Sequence, residues 1–247
     1  MPNSLSVSDI AKMIDHSLLR PNLTEEEFVE GVELSAKYQM ATCSVVPFDI
    51  ARAAKMLEGS NVPVSTVVAF PHGTIPTESK VFEGRKSIEN GAAELDMVIA
   101  ISRMMAGDHA YVEDDIRAVV EMAHKLNVTV KVIFENCYLT KEMIAKACQL
   151  SEKAGADFVK TSTGYGTSGA TLEDIRLMRA SCSPRVKIKA AGGIRTLDEV
   201  LAYRAAGTDR IATRGSQAIL KEAEKRVASG SLFETTDPLS GTVPSTH

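Results

Sequence analysis

Three ionisable side chains stand inside apolar runs, where a charge is costly. Lys160 closes Phe158-Val159-Lys160 and is followed by Thr161-Ser162-Thr163-Gly164. Lys189 closes Val186-Lys187-Ile188-Lys189 and is followed by Ala190-Ala191-Gly192-Gly193-Ile194-Arg195-Thr196. Asp96 lies within Glu94-Leu95-Asp96-Met97-Val98-Ile99. A lysine at the end of a buried strand loses hydration, which disfavours its ammonium form and makes the neutral, nucleophilic amine accessible. A single lysine so placed is more often solvated or ion-paired. Two of them with an acid on a third run point instead to amine catalysis on a carbonyl.

The elements that position these groups can be read from periodicity and punctuation. Short apolar runs predict eight strands, at 14–18, 41–46, 62–70, 93–99, 128–134, 158–160, 186–189 and 210–213. Helical patterns fall at 6–13 and, between and after the strands, at 24–38, 49–57, 78–89, 112–126, 140–154, 171–180, 197–205 and 217–228. Thr24 with Glu27, and Thr171 with Asp174, have capping-box spacing. Gly91-Ala92-Ala93, Gly155-Ala156-Asp157 and Gly207-Thr208-Asp209 each join a helix to a strand, a weak internal repeat. Strict alternation predicts a parallel sheet, and eight units in 247 residues predict a closed (β/α)8 TIM barrel with a short N-terminal helix. One catalytic domain is expected over 1–229, with an irregular tail over 230–247 rich in Ser, Thr, Gly and Pro.

Composition narrows the function. A net charge of −4 gives no electrostatic footprint for nucleic acid. No run of about 18 apolar residues suggests a membrane span, and the start lacks a basic, then apolar leader. The expectation is a cytoplasmic enzyme with neither nucleic-acid nor membrane partners. The four cysteines, Cys43, Cys137, Cys148 and Cys182, form no CxxC pair and read as free thiols. The five histidines show no metal-ligand spacing, so neither a metal nor a cofactor is expected.

Four segments then carry a resemblance. VKTSTGYGTSGAT (159–171), KAAGGIRT (189–196), ELDMVI (94–99) and IDHSLLRP (14–21), collinear within about residues 10–220, are similar to the deoxyribose-phosphate aldolase family. The resemblance implies that Lys160 is the Schiff-base lysine, Lys189 the second catalytic lysine and Asp96 the proton-relay acid. It implies cleavage of 2-deoxy-D-ribose 5-phosphate to D-glyceraldehyde 3-phosphate and acetaldehyde. Asp15, Ser44, Thr161, Gly164, Gly192, Gly193, Thr213, Arg214 and Gly215 are the expected substrate-binding residues.

The chain departs from that pattern in places. Ala212-Thr213-Arg214-Gly215 stands where small hydroxyl residues are usual, Ser44 where a cysteine is usual, and Ala100 where an asparagine is often found. Some relatives end in a tyrosine that reaches the site, whereas this chain ends Ser245-Thr246-His247. Arg214 is expected at the barrel mouth as a bidentate phosphate clamp, with the amides of Gly193 and Gly215 beside it; the alternatives are that it blocks the site or turns outward. Two other functions stay open: a Schiff-base aldolase with an unphosphorylated or different sugar, and a non-catalytic sugar-phosphate-binding barrel. Homo-oligomerisation is also left open.

Alternation along strands makes a further prediction. If Asp96 and Lys189 face inward, so do Glu94 and Lys187, while Lys131 and Glu135 share a face on the fifth strand. Glu94, Lys131 and Lys187 are expected to form structural ion pairs below the catalytic layer, because an unpaired buried charge is very costly.

Overall fold

The computed structural model describes residues 3–235, so most of the 230–247 tail lies outside the described residues. Eight parallel strands close into a barrel in sequence order: β1 (Ile14–Leu18), β2 (Thr42–Val45), β3 (Val64–Val68), β4 (Glu94–Val98), β5 (Thr129–Ile133), β6 (Phe158–Lys160), β7 (Lys187–Ala191) and β8 (Arg210–Thr213). The helices are α1 (Val7–Ala11), α2 (Glu25–Tyr38), α3 (Ile50–Met56), α4 (Thr77–Glu89), α5 (Ile101–Met105), α6 (His109–His124), α7 (Lys141–Lys153), α8 (Leu172–Ser181), α9 (Leu197–Ala205) and α10 (Ser216–Ala228). The predicted TIM barrel is therefore the observed fold, and the short α1 precedes it as expected.

Local chemistry explains why the helices start where they do. Thr24 and Thr196 each accept from the third backbone amide of their helix, and Glu27 and Glu199 reach back to the cap amides. These reciprocal bonds satisfy donors that a helix leaves unpaired. Thr171 caps α8 through the amide of Asp174.

Most boundaries fall within a residue or two of expectation, and two of the differences have a clear local cause. The helix predicted from residue 112 begins at His109, because Asp108 caps it by accepting from the amide of Tyr111 at 3.4 Å, and the extra turn α5 precedes it. The seventh strand runs two residues past Lys189, to Ala191. Ala190 and Ala191 pair in register with Ile211 and Ala212, and the strand stops only where Gly192 turns to φ 89°.

Register decides which side chains meet inside. Asp96 lies opposite Lys131, Ile133 opposite Lys160, Lys160 opposite Lys189, and Lys189 opposite Arg210. In a parallel ladder these partners point to the same side, so one layer of the barrel interior collects charge from β4 to β8. The apolar core lies between strands and helices, where Leu95, Met97, Val130, Val132, Val159 and Ile188 are buried.

Candidate active site

Lys160 ends β6 with its ammonium nitrogen 2.6 Å from Asp96 Oδ2. The same oxygen lies 2.7 Å from Lys189 Nζ, so Asp96 bridges the two lysines. Its other oxygen accepts from Lys131 Nζ at 2.8 Å. Lys189 is also 2.5 Å from Asp15 Oδ2, and Lys131 is 2.5 Å from Glu94 Oε2. Arg210 closes the network, 2.7 Å from Asp15 and 3.5 Å from Glu94.

The network contains three carboxylates and four cationic side chains, one cation more than it can pair. Lys160 is the group that yields. Burial pushes its amine down to about 8 and the nearby Lys189 charge pushes the same way, while Asp96 opposes both. Loss of its proton leaves Lys131, Lys189 and Arg210 matched against Asp15, Glu94 and Asp96. Burial would raise the carboxyl of Asp96, but three lysines hold it well below the usual carboxylate range. Asp15, likewise buried, is held low by Lys189, Lys131 and Arg210. Burial lowers Lys131 but its three carboxylates outweigh that and raise it. An amine near neutrality among fixed charges can attack a carbonyl and shed its proton to a neighbour.

Above this layer a cavity of about 810 Å³ opens at the C-terminal ends of the strands. Lys160 and Lys189 form its floor; Ser44, Gly164, Gly192, Gly193, Thr213, Arg214 and Gly215 stand among its walls. Ser44 Oγ is buried and finds no hydrogen-bond partner among the described residues, a polar atom available to a ligand. Gly192 must be glycine, because its φ is 89° and a Cβ would sit 2.7 Å from Gly169 Cα. Gly193, at φ 86°, meets nothing within 4 Å and leaves its backbone open to the cavity.

Several expectations need correction. Asp15 does not line the cavity; it is fully buried one layer down, holding Lys189 and Arg210. Thr161 also faces away, because its hydroxyl donates to the Ala191 carbonyl at 3.2 Å and accepts the Ala191 amide at 3.1 Å, latching β6 to β7. The Gly215 amide is already donated to Thr213 Oγ1 at 2.8 Å, and that hydroxyl donates to the Ile194 carbonyl. It is therefore not a free donor for a ligand. Lys131 is not below the catalytic layer but touches Asp96 directly, while its pairing with Glu94 is as expected. Lys187 keeps the alternation but reaches the open bottom of the barrel, where it is exposed and makes no ion pair among the described residues. Its ammonium instead sits 5.5 Å from the centre of the Phe158 ring. Water and the ring's negative face supply what a carboxylate would have.

Arg214 lines the cavity and makes no ion pair with another described residue. Sequence reasoning missed its companions Arg195 and Arg20, as well as Tyr165, at the same mouth. Arg20 is tied to Glu27, and Tyr165 donates to the Leu19 carbonyl at 2.8 Å. A usable signal was their position one to five residues beyond the predicted strand ends or glycine turns. Arg210 had a clearer one, since it is a cation opening the eighth predicted strand on the same face as Ala212, and the observed register sets it beside Lys189. Glu135 was expected on the inner face; instead its left-handed backbone, φ 58°, turns its buried carboxylate onto the amide and hydroxyl of Thr163. It thereby fixes the loop that carries Thr163, Gly164 and Tyr165 to the cavity wall.

A closed α/β barrel with two lysines sharing one carboxylate on the floor of its cavity defines an enzyme suited to carbonyl chemistry. The chain belongs to the DeoC/LacD aldolase family, whose sequence profile matches residues 10–216. It is 48% identical over 217 residues to the deoxyribose-phosphate aldolase of Thermococcus gammatolerans, covering 87% of this chain and 96% of that one. The corresponding protein of Rhodopirellula baltica is 41% identical over 233 residues, covering 94% and 97%. Among solved structures, the tetrameric deoxyribose phosphate aldolase of Aeropyrum pernix is 30% identical with a TM-score of 0.83, covering 89% of this chain and 92% of that one.

Proposed function

We propose that the protein cleaves 2-deoxy-D-ribose 5-phosphate to D-glyceraldehyde 3-phosphate and acetaldehyde through a Schiff base on Lys160. The observation that carries the reading is the surplus cation of the buried network, which falls on Lys160. As the free amine, Lys160 adds to the aldehyde carbon of the open-chain sugar and water is lost, giving an iminium. That cation withdraws electrons from the C2–C3 bond. Removal of the C3 hydroxyl proton then breaks this bond, releasing the phosphorylated aldehyde and leaving an enamine. Protonation of the enamine carbon and hydrolysis release acetaldehyde and restore Lys160. Lys189 and Asp96, each within hydrogen-bond reach of the reacting nitrogen or of one another, are the groups placed to move these protons.

The phosphate end of the substrate fits the mouth. Among the described residues, twenty-one line the cavity and none of these is a carboxylate, whereas Arg20, Arg195 and Arg214 are among them. Arg214 and Arg195 with the open backbone at Gly193 would hold the dianion, Arg214 as a bidentate donor. None of the described helices is long and apolar enough to cross a membrane. We read the protein as a cytoplasmic enzyme acting on a small sugar phosphate.

Borohydride reduction in the presence of acetaldehyde tests the central assignment. A two-carbon adduct is expected on the peptide containing Lys160; an adduct on Lys189 or Lys187 would overturn it. Comparing 2-deoxyribose with and without its 5-phosphate tests the substrate, and equal turnover of both would favour an unphosphorylated sugar.

A further inference from the structure

A second reactive pair lies at the opposite end of the β6 unit, remote from the cavity. Cys148 sits in the middle of α7 on the buried stripe Ile144, Ala147, Cys148 and Ser151. Cys182 ends α8, seven residues beyond Ile175 and four beyond Met178, so it extends that helix's buried stripe. α7 and α8 pack side by side, and Cys182 is packed against the core while remaining partly exposed. The two thiols are near enough to influence each other's ionisation.

The segments carrying them are already clamped together. Glu152, one helical turn after Cys148, accepts the Ser183 amide at 3.1 Å and bonds the Ser183 hydroxyl. Arg185 donates back to the Glu152 carbonyl at 2.7 Å and to the Ala156 carbonyl at 3.4 Å. Arg179 donates to the Ser183 carbonyl at 2.6 Å. Glu152, Ser183 and Arg185 therefore hold the turn after α8 against the C-terminal end of α7, and Arg179 ties that turn to its own helix. A disulfide requires such closeness before it forms, since backbone that must move stores strain in the bond.

We propose that Cys148 and Cys182 are a reversible disulfide site that braces the two helices flanking β6. Cys182 is the entry point: it is partly exposed, and the neighbouring Cys148 thiol, together with the Arg179 and Arg185 charges, holds it below the ordinary thiol range. Cys148 is buried, and the adjoining Cys182 together with that burial holds it above the ordinary thiol range. The oxidant required is a small disulfide of the glutathione type. The Cys182 thiolate attacks one of its sulfurs, the small S–S bond breaks, and one thiol leaves with a proton. Cys148 then loses its proton and attacks Cys182 Sγ, expelling the second small thiol. One small disulfide is reduced to two thiols as two protein thiols are oxidised to one disulfide. Cys182 precedes β7 by a short turn, at the end of the barrel away from the mouth, so the bridge should alter stability and leave catalysis alone.

The test uses the full-length protein treated with glutathione disulfide. The expected product is lighter by about 2 Da, the mass of two hydrogens. It should show peptide 147–153 linked to peptide 180–185 in a non-reducing tryptic map. Its Tm should rise by roughly 5–10 °C, the scale for closing a loop of this size in a chain of this length. Dithiothreitol should reverse both changes, and kcat/KM should change by less than about twofold. Cys182→Ser and Cys148→Ser should each abolish the linked peptide and the Tm rise. Persistence of all thiols, a stable small-molecule adduct on Cys182 with Cys148 still free, a link to Cys137 or Cys43, or a linked protein with unchanged Tm would each overturn the proposal.

Discussion

At the scale of single residues, Asp96 is the hinge of the site, because its charge raises Lys160 while Lys189 lowers it. The two neighbours therefore give opposite signs when removed. Lys189→Leu should shift the acidic limb of the pH–rate profile upward from near pH 8, since one lowering influence on Lys160 is lost. Turnover should fall by more than about tenfold, or 1.4 kcal/mol. Asp96→Asn should shift the same limb downward while also reducing turnover, because the proton carrier is gone. A pH–rate series on both variants checks the pair; a shift of the same sign in both would refute the opposition. Arg214 offers a separate test. Arg214→Ser should raise KM for the phosphorylated sugar by about 1.5–3 kcal/mol, the range for a hydrogen bond to a charged group. KM for the unphosphorylated sugar should hardly move, and equal changes in both would mean that Arg214 does not contact phosphate.

At the scale of elements, β1 and α10 are joined by a buried histidine. His16 Nδ1 lies 2.8 Å from Ser216 Oγ at the start of α10, and Gly31 on α2 leaves room for the other edge of the ring. Burial pushes His16 down to about 4 from an ordinary 6.5. A depressed folded-state value means that the unfolded chain binds the proton first. The neutral ring's stability is thus fully present above pH 6.5 and is lost progressively as pH falls towards 4, by up to about 3 kcal/mol. Denaturant unfolding measured across that window should show the loss, and His16→Gln should flatten it; an identical slope in both proteins would remove His16 as its cause.

Strand alternation made most of this legible in advance. With Asp96 and Lys189 taken as facing inward, it put Glu94 and Lys187 on the same side and led to the expected ion pairing of Glu94 and Lys131. It failed where depth along the barrel mattered: period two assigns a face but not a layer, so Lys187 and Lys189 looked alike although one is in water and the other is sealed. Asp15 was misread for the same reason. Loop contacts were beyond the pattern altogether, because whether the Gly215 amide is free depends on where the Thr213 hydroxyl turns, and that is a matter of tertiary geometry.

At the scale of the whole molecule, the distribution of charge is lopsided. The chain carries a net charge of −4, yet among the described residues its cavity is lined by arginine and lysine and by no acidic residue. Arg20 is partly neutralised by Glu27, which leaves Arg195 and Arg214 to shape the potential at the entrance. An overall negative surface repels a sugar phosphate at long range, and the mouth attracts it at short range. Encounter should then be guided over about one Debye length, ~8 Å at physiological ionic strength. Raising sodium chloride should shrink that capture radius and lower kcat/KM for the phosphorylated sugar, while kcat at saturation stays level because bond cleavage happens below the entrance. Stopped-flow or steady-state rates across a salt series would read this directly, and a kcat that falls in parallel would place the salt sensitivity in the buried network instead. The barrel thus sorts its traffic by range: the outer surface sets who approaches, the rim sets who docks, and the sealed floor sets what reacts.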